Sequence, residues 1–386
     1  MIANAIFAAL ALLSCALLFW QWRAAMRFPL HQRITLPDFA PALTLLKPLK
    51  GCDDSTVASL DSWLAQNYTG QTQILFGVAD ASDPICKLVE DLLKKHPATD
   101  ARLVICSQSL GANAKVSTLA QLEPLAKHDL ILISDADVRV PPDFLANVVA
   151  PLRDEKVALA NSFYRLANPS TVAMQWEAIA INADFWSQVL QSQTLKPLDF
   201  AMGATILVRR KSLESIGGFR SLLDCLADDF QIGNRIAKKS GRIALCPVVV
   251  ECWDSPKGWE AVWKHQLRWA RTIRVCQPLP YFFSILSNAT LWPLLWLVIA
   301  IITTKTLCAP LTAVALILIR ICLAQNLQRR FTPDRKLISP FWLVPVKDLL
   351  QAAIWFCAFA GNTVEWRGQK MKLRGDGTLI AKPAAD

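Results

Sequence analysis

The sequence predicts an α/β domain with a mostly parallel sheet, set between membrane-associated segments at the two ends of the chain. Short β-rich runs alternate with helical patterns between residues 40 and 250, and uncharged apolar stretches occupy both ends. The 386 residues are 53% hydrophobic, which is more apolar than an ordinary soluble domain. The alternation is typical of parallel strands with helices on both faces of the sheet.

The N-terminal apolar stretch predicts a transmembrane anchor over residues 1–22. Residues 2–20 contain no charge and are long enough to cross a bilayer. A cleaved signal peptide has its positive charge before the apolar run, whereas here Arg23 and Arg27 follow the run. We therefore expect an uncleaved anchor, and the positive-inside rule places the following domain, residues 40–280, in the cytoplasm.

A second membrane region is predicted over residues 281–360. Apolar runs at 281–304 and 307–325 can form a hairpin. The last run, 341–360, contains a proline and two charged residues, so it could span the bilayer, re-enter it or lie in the interface. The basic tail at 361–386 favours a cytosolic C-terminus.

The formal charge of +10 also favours a membrane partner. Basic residues beside apolar segments are attracted to an anionic leaflet. No nucleic-acid-binding motif accompanies them, so nucleic acid is not an expected partner.

The central domain contains seven β-rich runs. They are ALTLLK (42–47), TQILFGV (72–78), ARLVIC (101–106), DLILIS (129–134), KVALAN (156–161), ATILVR (204–209) and RIALCPVVV (242–250). Helical patterns lie near 55–66, 84–95, 115–126, 171–191 and 226–239.

Acidic residues follow two of these strands. Asp135 and Asp137 come directly after the apolar run at 129–134, and two such carboxylates repel each other unless a positive group is near. A divalent cation bound to a diphosphate meets this need, although both residues could simply form a turn. Asp80 follows the run at 72–78, where an aspartate is often a turn or cap residue.

Lys115 and the acidic pair Asp228-Asp229 are predicted at helix starts. A lysine at this position can meet phosphate or sugar oxygens. The helix dipole favours carboxylates at a helix start, and it would also hold a carboxylate of this pair ionised, as a general base must be. The spacing is compatible with either role.

The segment His265-Gln-Leu-Arg268-Trp269 precedes the second membrane region. It could be part of a cationic amphipathic helix on the membrane surface. Alternatively, Arg268 stabilises a departing diphosphate and Trp269 forms an aromatic wall for an acceptor.

Four islands therefore follow one another along the chain: Asp80, Asp135-Ala-Asp137, Asp228-Asp229 and His265-x-x-Arg268-Trp269. Their order resembles the signature D, DxD, D, (Q/R)xxRW of membrane-bound inverting glycosyltransferases with the GT-A fold. Flanking runs at 45–51 and 111–115 extend the resemblance to ceramide glucosyltransferases and bacterial hopanoid-modifying glycosyltransferases. His265 departs from the usual Gln or Arg.

The resemblance implies a Rossmann-like GT-A domain that transfers a sugar, in the first place glucose, from a UDP-sugar to the hydroxyl of a membrane lipid such as ceramide. It implies Mg²⁺ or Mn²⁺ as cofactor and a multi-pass protein of the bacterial inner membrane. The residue roles carried over by position are uracil contact for Asp80, nucleotide and metal binding for Asp135 and Asp137, general base for Asp229 with support from Asp228, and diphosphate and acceptor contacts for Arg268 and Trp269.

Three alternatives remain open at this point. The acceptor could be a hopanoid that receives N-acetylglucosamine. A processive polysaccharide synthase shares the signature, but it needs a polymer channel, and the predicted membrane segments are few for one. A catalytically silent membrane scaffold is disfavoured, because every island retains its acids and the Arg-Trp pair is present.

Overall fold

The protein is described by a computed structural model that covers residues 1–34, 38–366 and 369–381. An α/β domain lies between one N-terminal helix and a C-terminal group of helices, and both the fold class and the mostly parallel sheet agree with the prediction.

Within the described residues, eight strands form the central sheet in the order β3-β2-β1-β4-β7-β6-β8-β5. They are β1 (Leu43–Leu49), β2 (Thr72–Val78), β3 (Asp100–Ile105), β4 (Leu130–Ser134), β5 (Val138–Arg139), β6 (Val157–Leu166), β7 (Thr205–Arg209) and β8 (Arg242–Cys252). The first four strands in the order pair in parallel, as do β6 and β8. β7 is antiparallel to both of its neighbours, and β5 is antiparallel to β8.

Helices cover both faces of the sheet. They are α2 (Thr56–Leu64), α3 (Ile85–Lys95), α4 (Ala114–Leu122), α5 (Phe144–Val149), α6 (Val172–Ile179), α7 (Trp186–Gln193), α8 (Arg210–Ser215), α9 (Asp228–Lys238) and α10 (Trp259–Cys276). The helix predicted near 171–191 is continuous and contains a π-helical turn, Ala180–Phe185, between α6 and α7. Buried side chains of the strands and helices form two large hydrophobic clusters. One contains Trp176 and Trp186, and the other contains Trp63 and Phe144.

The order of the strands determines where a ligand can bind. The chain proceeds outward from β1 through β2 to β3 and then returns to place β4 on the other side of β1. In open α/β sheets, ligands bind in the crevice outside the carboxyl ends of strands at such a switch point. All five residues of β4 are buried, so its apolar run ends at this crevice.

The terminal helices are α1 (Ile2–Arg27), α11 (Pro278–Phe283), α12 (Leu291–Thr303), α13 (Cys308–Phe331) and α14 (Leu343–Phe359). In the described part of the chain, α1 and α13 are each long and apolar enough to cross a membrane. The hairpin predicted at 281–325 is modified in its first arm, which bends by 45° between α11 and α12. Asn288 explains the break, because its side chain accepts hydrogen bonds from Thr290 N and Leu291 N and so caps α12.

Helix α14 accounts for the charges in the stretch at 341–360. Asp348 accepts two hydrogen bonds of 2.8 Å from Arg320 of α13, and Lys347 donates to Asp184 of the π-helical turn. These four residues are each at most 5% exposed. Thr290 Oγ1 donates a further hydrogen bond, of 2.6 Å, to Asp348. The charged residues of α14 therefore face protein partners and not lipid.

The described residues of the predicted basic tail form a small antiparallel sheet of β9 (Thr363–Trp366), β10 (Gln369–Leu373) and β11 (Leu379–Ala381). Positions 367, 368 and 382–386 of that prediction lie outside the described residues. Arg271 and Arg274 of α10 donate to Thr363 O and to the side chain of Asn362. The basic face of α10 thus holds the start of this sheet.

Candidate active site

The carboxyl ends of β1 and β4 bring together side chains that are far apart in the sequence. Asp135 follows β4, and its backbone carbonyl accepts a 2.5 Å hydrogen bond from Lys47 of β1. Lys47 is fully buried, and burial lowers its pKa to about 7 although Asp137 and Asp135 oppose that shift. The central strands therefore place a buried lysine amine directly behind the acidic pair.

Lys115 joins two of the acidic islands. Its Nζ lies 2.7 Å from Asp135 Oδ1 and 3.1 Å from Asp228 Oδ2. Burial would lower the pKa of Lys115, but the charges of Asp135 and Asp228 raise it above its ordinary value. Lys115 therefore stays protonated and holds the end of β4 next to the start of α9.

The loop that carries Lys115 is attached to the loop that precedes α9. Asn113 caps α4 by accepting from Val116 N at 3.1 Å, and its amide donates to Cys225 O at 2.7 Å. Gly111 is required here, because a Cβ at that position would lie 2.6 Å from Leu223 Cβ. β11 contacts the same loop, with Leu379 N donating to Asp224 O at 2.7 Å.

Asp229 lies in the first turn of α9, next to Asp228 but apart from the Lys115 ion pairs. Burial and the adjacent charge of Asp228 raise the pKa of Asp229 to about 6, while Lys115 opposes the shift. The sequence predicted that the helix start would keep this carboxylate ionised, but desolvation and Asp228 have the larger effect. A pKa near 6 suits a general base at neutral pH.

The loop before β7 leaves room for the Asp229 carboxylate. A Cβ on Gly203 would lie 2.9 Å from Asp229 Oδ2, closer than real Cβ contacts allow. Glycine at this position therefore permits the backbone to approach the carboxylate.

Asp137 lies at the exposed rim of the crevice. The protein packed around its carboxylate and the negative charges of Asp135 and Asp254 raise its pKa to about 6, with Lys47 opposing. A bound cation would relieve this repulsion. Within the ranges that the structure describes, no three His, Cys, Asp or Glu side chains are grouped to hold a metal ion by themselves. Two carboxylates completed by substrate phosphates are, however, a usual arrangement for Mg²⁺, so the residues fit such an ion.

Asp80 lies in the loop after β2. Its Oδ1 accepts 2.8 Å hydrogen bonds from Ser82 N and Ser82 Oγ, which lower its pKa. This is the turn geometry considered for Asp80 from its sequence. The residue is exposed, so the carboxylate is accessible at the β2 side of the crevice.

Arg268 and Trp269 of α10 line the opposite side. Burial lowers the pKa of Arg268, while the negative charges of Asp229 and Asp135 act in the opposite direction. Its guanidinium donates no hydrogen bond to any residue that the structure describes. The Trp269 ring packs against Tyr164 and Phe185, with centroids 6.4 and 6.3 Å away. A cation and an aromatic wall therefore stand beside the carboxylates.

The structure adds a residue that sequence reasoning missed. Glu177 of α6 is 2% exposed and accepts hydrogen bonds from His265 Nδ1 at 2.6 Å and Gln266 Nε2 at 2.9 Å. The only sequence signal was an acid within the otherwise apolar run of α6. The partner of that acid lies 88 residues further along the chain.

Comparisons with known proteins agree with this geometry. The sequence model described as Glycosyl transferase family 21 matches residues 5–379. The chain is 22% identical over 222 residues to ceramide glucosyltransferase 3 of Caenorhabditis elegans, covering 57% of this chain and 48% of that protein. It is 24% identical over 252 residues to beta-monoglucosyldiacylglycerol synthase of Trichormus variabilis, with 63% and 51% covered. The chain thus spans about half the length of these curated relatives.

A solved structure shows the same fold. The mannosyltransferase PcManGT of Pyrobaculum calidifontis, solved in complex with GDP-Man and Mn²⁺, has a TM-score of 0.56 and 21% sequence identity. The similarity covers 92% of this chain and 99% of that chain. The GT-A fold predicted from the order of the islands is therefore confirmed.

Proposed function

Because the chain belongs to glycosyl transferase family 21, we propose that it transfers a sugar, in the first place glucose, from a UDP-sugar to the hydroxyl of a membrane lipid, with inversion at the anomeric carbon. The observation that carries the proposal is the position of Asp229. This carboxylate has a raised pKa and takes no part in the ion pairs that Lys115 makes with Asp135 and Asp228. One acid is thus available for proton transfer while the other two serve the donor.

The donor occupies the crevice outside β1, β2 and β4. Asp80 contacts the uracil, and Asp135 and Asp137 bind the nucleotide and a divalent cation, Mg²⁺ or Mn²⁺. When bound, this ion neutralises charge on the diphosphate. Lys115 lies beside Asp135 and supports the same region with a positive charge.

Proton transfer is assigned to Asp229. Its ionised carboxylate accepts the proton of the lipid hydroxyl as that oxygen attacks the anomeric carbon. The bond between the anomeric carbon and the diphosphate oxygen breaks, and its electron pair leaves with UDP. Asp228 supports this step, because its charge raises the pKa of Asp229 and its ion pair with Lys115 positions the start of α9.

Arg268 and Trp269 serve the departing diphosphate and the acceptor. The Arg268 guanidinium feels the negative charges of Asp229 and Asp135 and can stabilise charge that develops on the leaving group. Trp269 forms an aromatic wall with Tyr164 and Phe185, suited to the apolar part of an acceptor near its hydroxyl.

The acceptor is proposed to be a lipid because α10 leads directly into the apolar C-terminal helices. Helix α10 ends at Cys276, and α11 begins at Pro278 with exposed Phe282 and Phe283. Exposed phenylalanine side chains beside an apolar helix suit insertion into the boundary between lipid headgroups and acyl chains. We place residues 40–280 on the cytoplasmic face, with residues 1–22 as anchor and 281–360 as the second membrane region.

The test is transfer from radiolabelled UDP-glucose by the purified full-length protein in vesicles that contain ceramide or diacylglycerol. We expect one labelled glycolipid, with inverted anomeric configuration, and loss of its formation on chelation of divalent cations. Mass spectrometry identifies both the sugar and the acceptor. A labelled polymer, a retained configuration or the absence of any glycolipid would contradict the proposal.

The matched variants are Asp229→Asn and Asp91→Asn. Asp229→Asn should lower transfer by about a hundredfold or more while UDP binding persists. Asp91 is an exposed acid paired with Lys94 on α3, so its replacement should leave transfer unchanged.

A further inference from the structure

A buried carboxylate lies behind the helix that carries Arg268 and Trp269. Glu177 accepts hydrogen bonds from two consecutive residues of that helix, His265 Nδ1 and Gln266 Nε2, at one oxygen, Oε1. The glutamate is 2% exposed, so water cannot replace these partners. Helix α10 is thereby joined to α6 by a buried carboxylate.

The contact between Glu177 and His265 is a hydrogen bond to a charged group. Burial would raise the pKa of Glu177, but the hydrogen bond and positive charge of His265, with Gln266 and Lys257, lower it below its ordinary value. An ionised carboxylate at such a depth needs a cationic partner. His265 supplies one when its imidazole is protonated, whereas a glutamine at that position would supply only a neutral donor.

The His265 side chain connects Glu177 to the aromatic wall. The His265 ring lies against the Trp269 ring, one helical turn later, with centroids 4.7 Å apart. Trp269 in turn packs against Phe185, which follows α6 in the π-helical turn. Glu177 and Phe185 therefore belong to one continuous helical segment that holds the Arg-Trp pair from two sides.

We infer that Glu177 is a positioning residue for the acceptor side of the site, acting through His265 on Trp269. The histidine at 265, in place of the Gln or Arg of the related signature, is matched to this carboxylate. The inference rests on the proposed function and deepens it. It assigns to α6 a specific role in orienting the acceptor wall.

The experiment is a double-mutant cycle on the full-length protein, with His265→Gln, Glu177→Gln and the double variant. His265→Gln removes the imidazole that contacts both the buried carboxylate and the Trp269 ring, so kcat/KM for the lipid should fall about ten- to a hundredfold. The double variant replaces the ion pair with a neutral amide pair and should recover most of that loss. KM for the lipid should rise in His265→Gln, while Kd for UDP stays at the wild-type value.

A second histidine-carboxylate pair is a matched control. His96 Nε2 lies 2.7 Å from Asp61 Oδ1, between α3 and α2 and away from α10. His96→Gln should leave kcat/KM for the lipid unchanged.

Each outcome decides one question. Additive losses in the double variant, an equal loss in UDP binding, or unchanged lipid KM in His265→Gln would overturn the role of Glu177. If the wild-type protein forms no glycolipid, the proposed function is wrong, and the role of Glu177, which rests on it, is rejected with it. Circular dichroism and thermal unfolding of all variants separate a positioning effect from loss of fold.

Discussion

Arg320 donates two hydrogen bonds, of 3.0 and 2.8 Å, to the carboxylate of Asp184, although the two residues are 136 positions apart. Asp184 immediately precedes Phe185, whose ring packs against Trp269. The apolar helix α13 is thus joined to the segment that supports the aromatic wall. Helix α13 and the candidate site are parts of one packed unit.

This ion cluster predicts a large effect on stability. Arg320→Met should lower the free energy of unfolding by about 3–5 kcal/mol, because it removes the guanidinium hydrogen-bonded to two buried carboxylates and leaves Lys347 alone to balance both charges. Thermal unfolding in detergent micelles measures the change. Arg242→Met is the control, because its 2.7 Å pair with Asp154 is exposed and should contribute about 1 kcal/mol or less. Equal shifts in the two variants would refute the prediction.

The raised pKa of Asp229 predicts how activity depends on pH. Only the ionised carboxylate can accept a proton, so kcat/KM should rise as the pH increases through about 6 and become constant above it. A rate profile with the lipid varied at saturating UDP-sugar measures this limb. The residual activity of Asp229→Asn should lack the rise, and a rise of the same shape in that variant would assign it to another group.

The bridge that Lys115 forms predicts that its removal weakens donor binding and slows sugar transfer. Lys115→Met removes the cation between Asp135 and Asp228, so the two carboxylates repel each other and the start of α9 shifts. We expect kcat/KM for the UDP-sugar to fall by about a hundredfold. Lys127→Met removes an exposed pair with Asp100 and should have no effect. Activity near the wild-type level in Lys115→Met would show that the bridge is dispensable.

The short distance between Gly203 and Asp229 predicts that a side chain at position 203 displaces the Asp229 carboxylate. The Cβ of Gly203→Ala would lie 2.9 Å from Asp229 Oδ2, so the carboxylate must move. Transfer should slow by about tenfold or more, with little change in melting temperature. Gly375→Ala is the control, because nothing lies within 4 Å of its Cβ position. Similar initial rates for the two variants would count against the predicted position of Asp229.

The local pattern of apolar residues was sufficient to predict the strands. The run predicted at 72–78 coincides with β2, and the run at 129–134 differs from β4 by one residue. Strands buried on both faces require continuous apolar side chains, and this requirement is visible in a short window. The ordered acids at the strand ends were visible in the same way.

Ion pairs between residues distant in the sequence could not be predicted from it. Nothing near Lys347 and Asp348 indicated that Arg320 and Asp184 would neutralise them, so the role of 341–360 stayed open. Nothing near Glu177 indicated His265 as its partner. Both contacts connect segments separated by whole elements, and a local pattern carries no information about which distant charge will be buried beside it.

The sequence by itself determined the α/β class, the apolar ends and the order of acids along the strands, because these depend on periodicity and hydropathy within each segment. Tertiary structure alone decided which acid has a raised pKa, which cation bridges the islands and which carboxylate holds α10. Those properties depend on burial and on distances between side chains, and both arise only when the segments pack together.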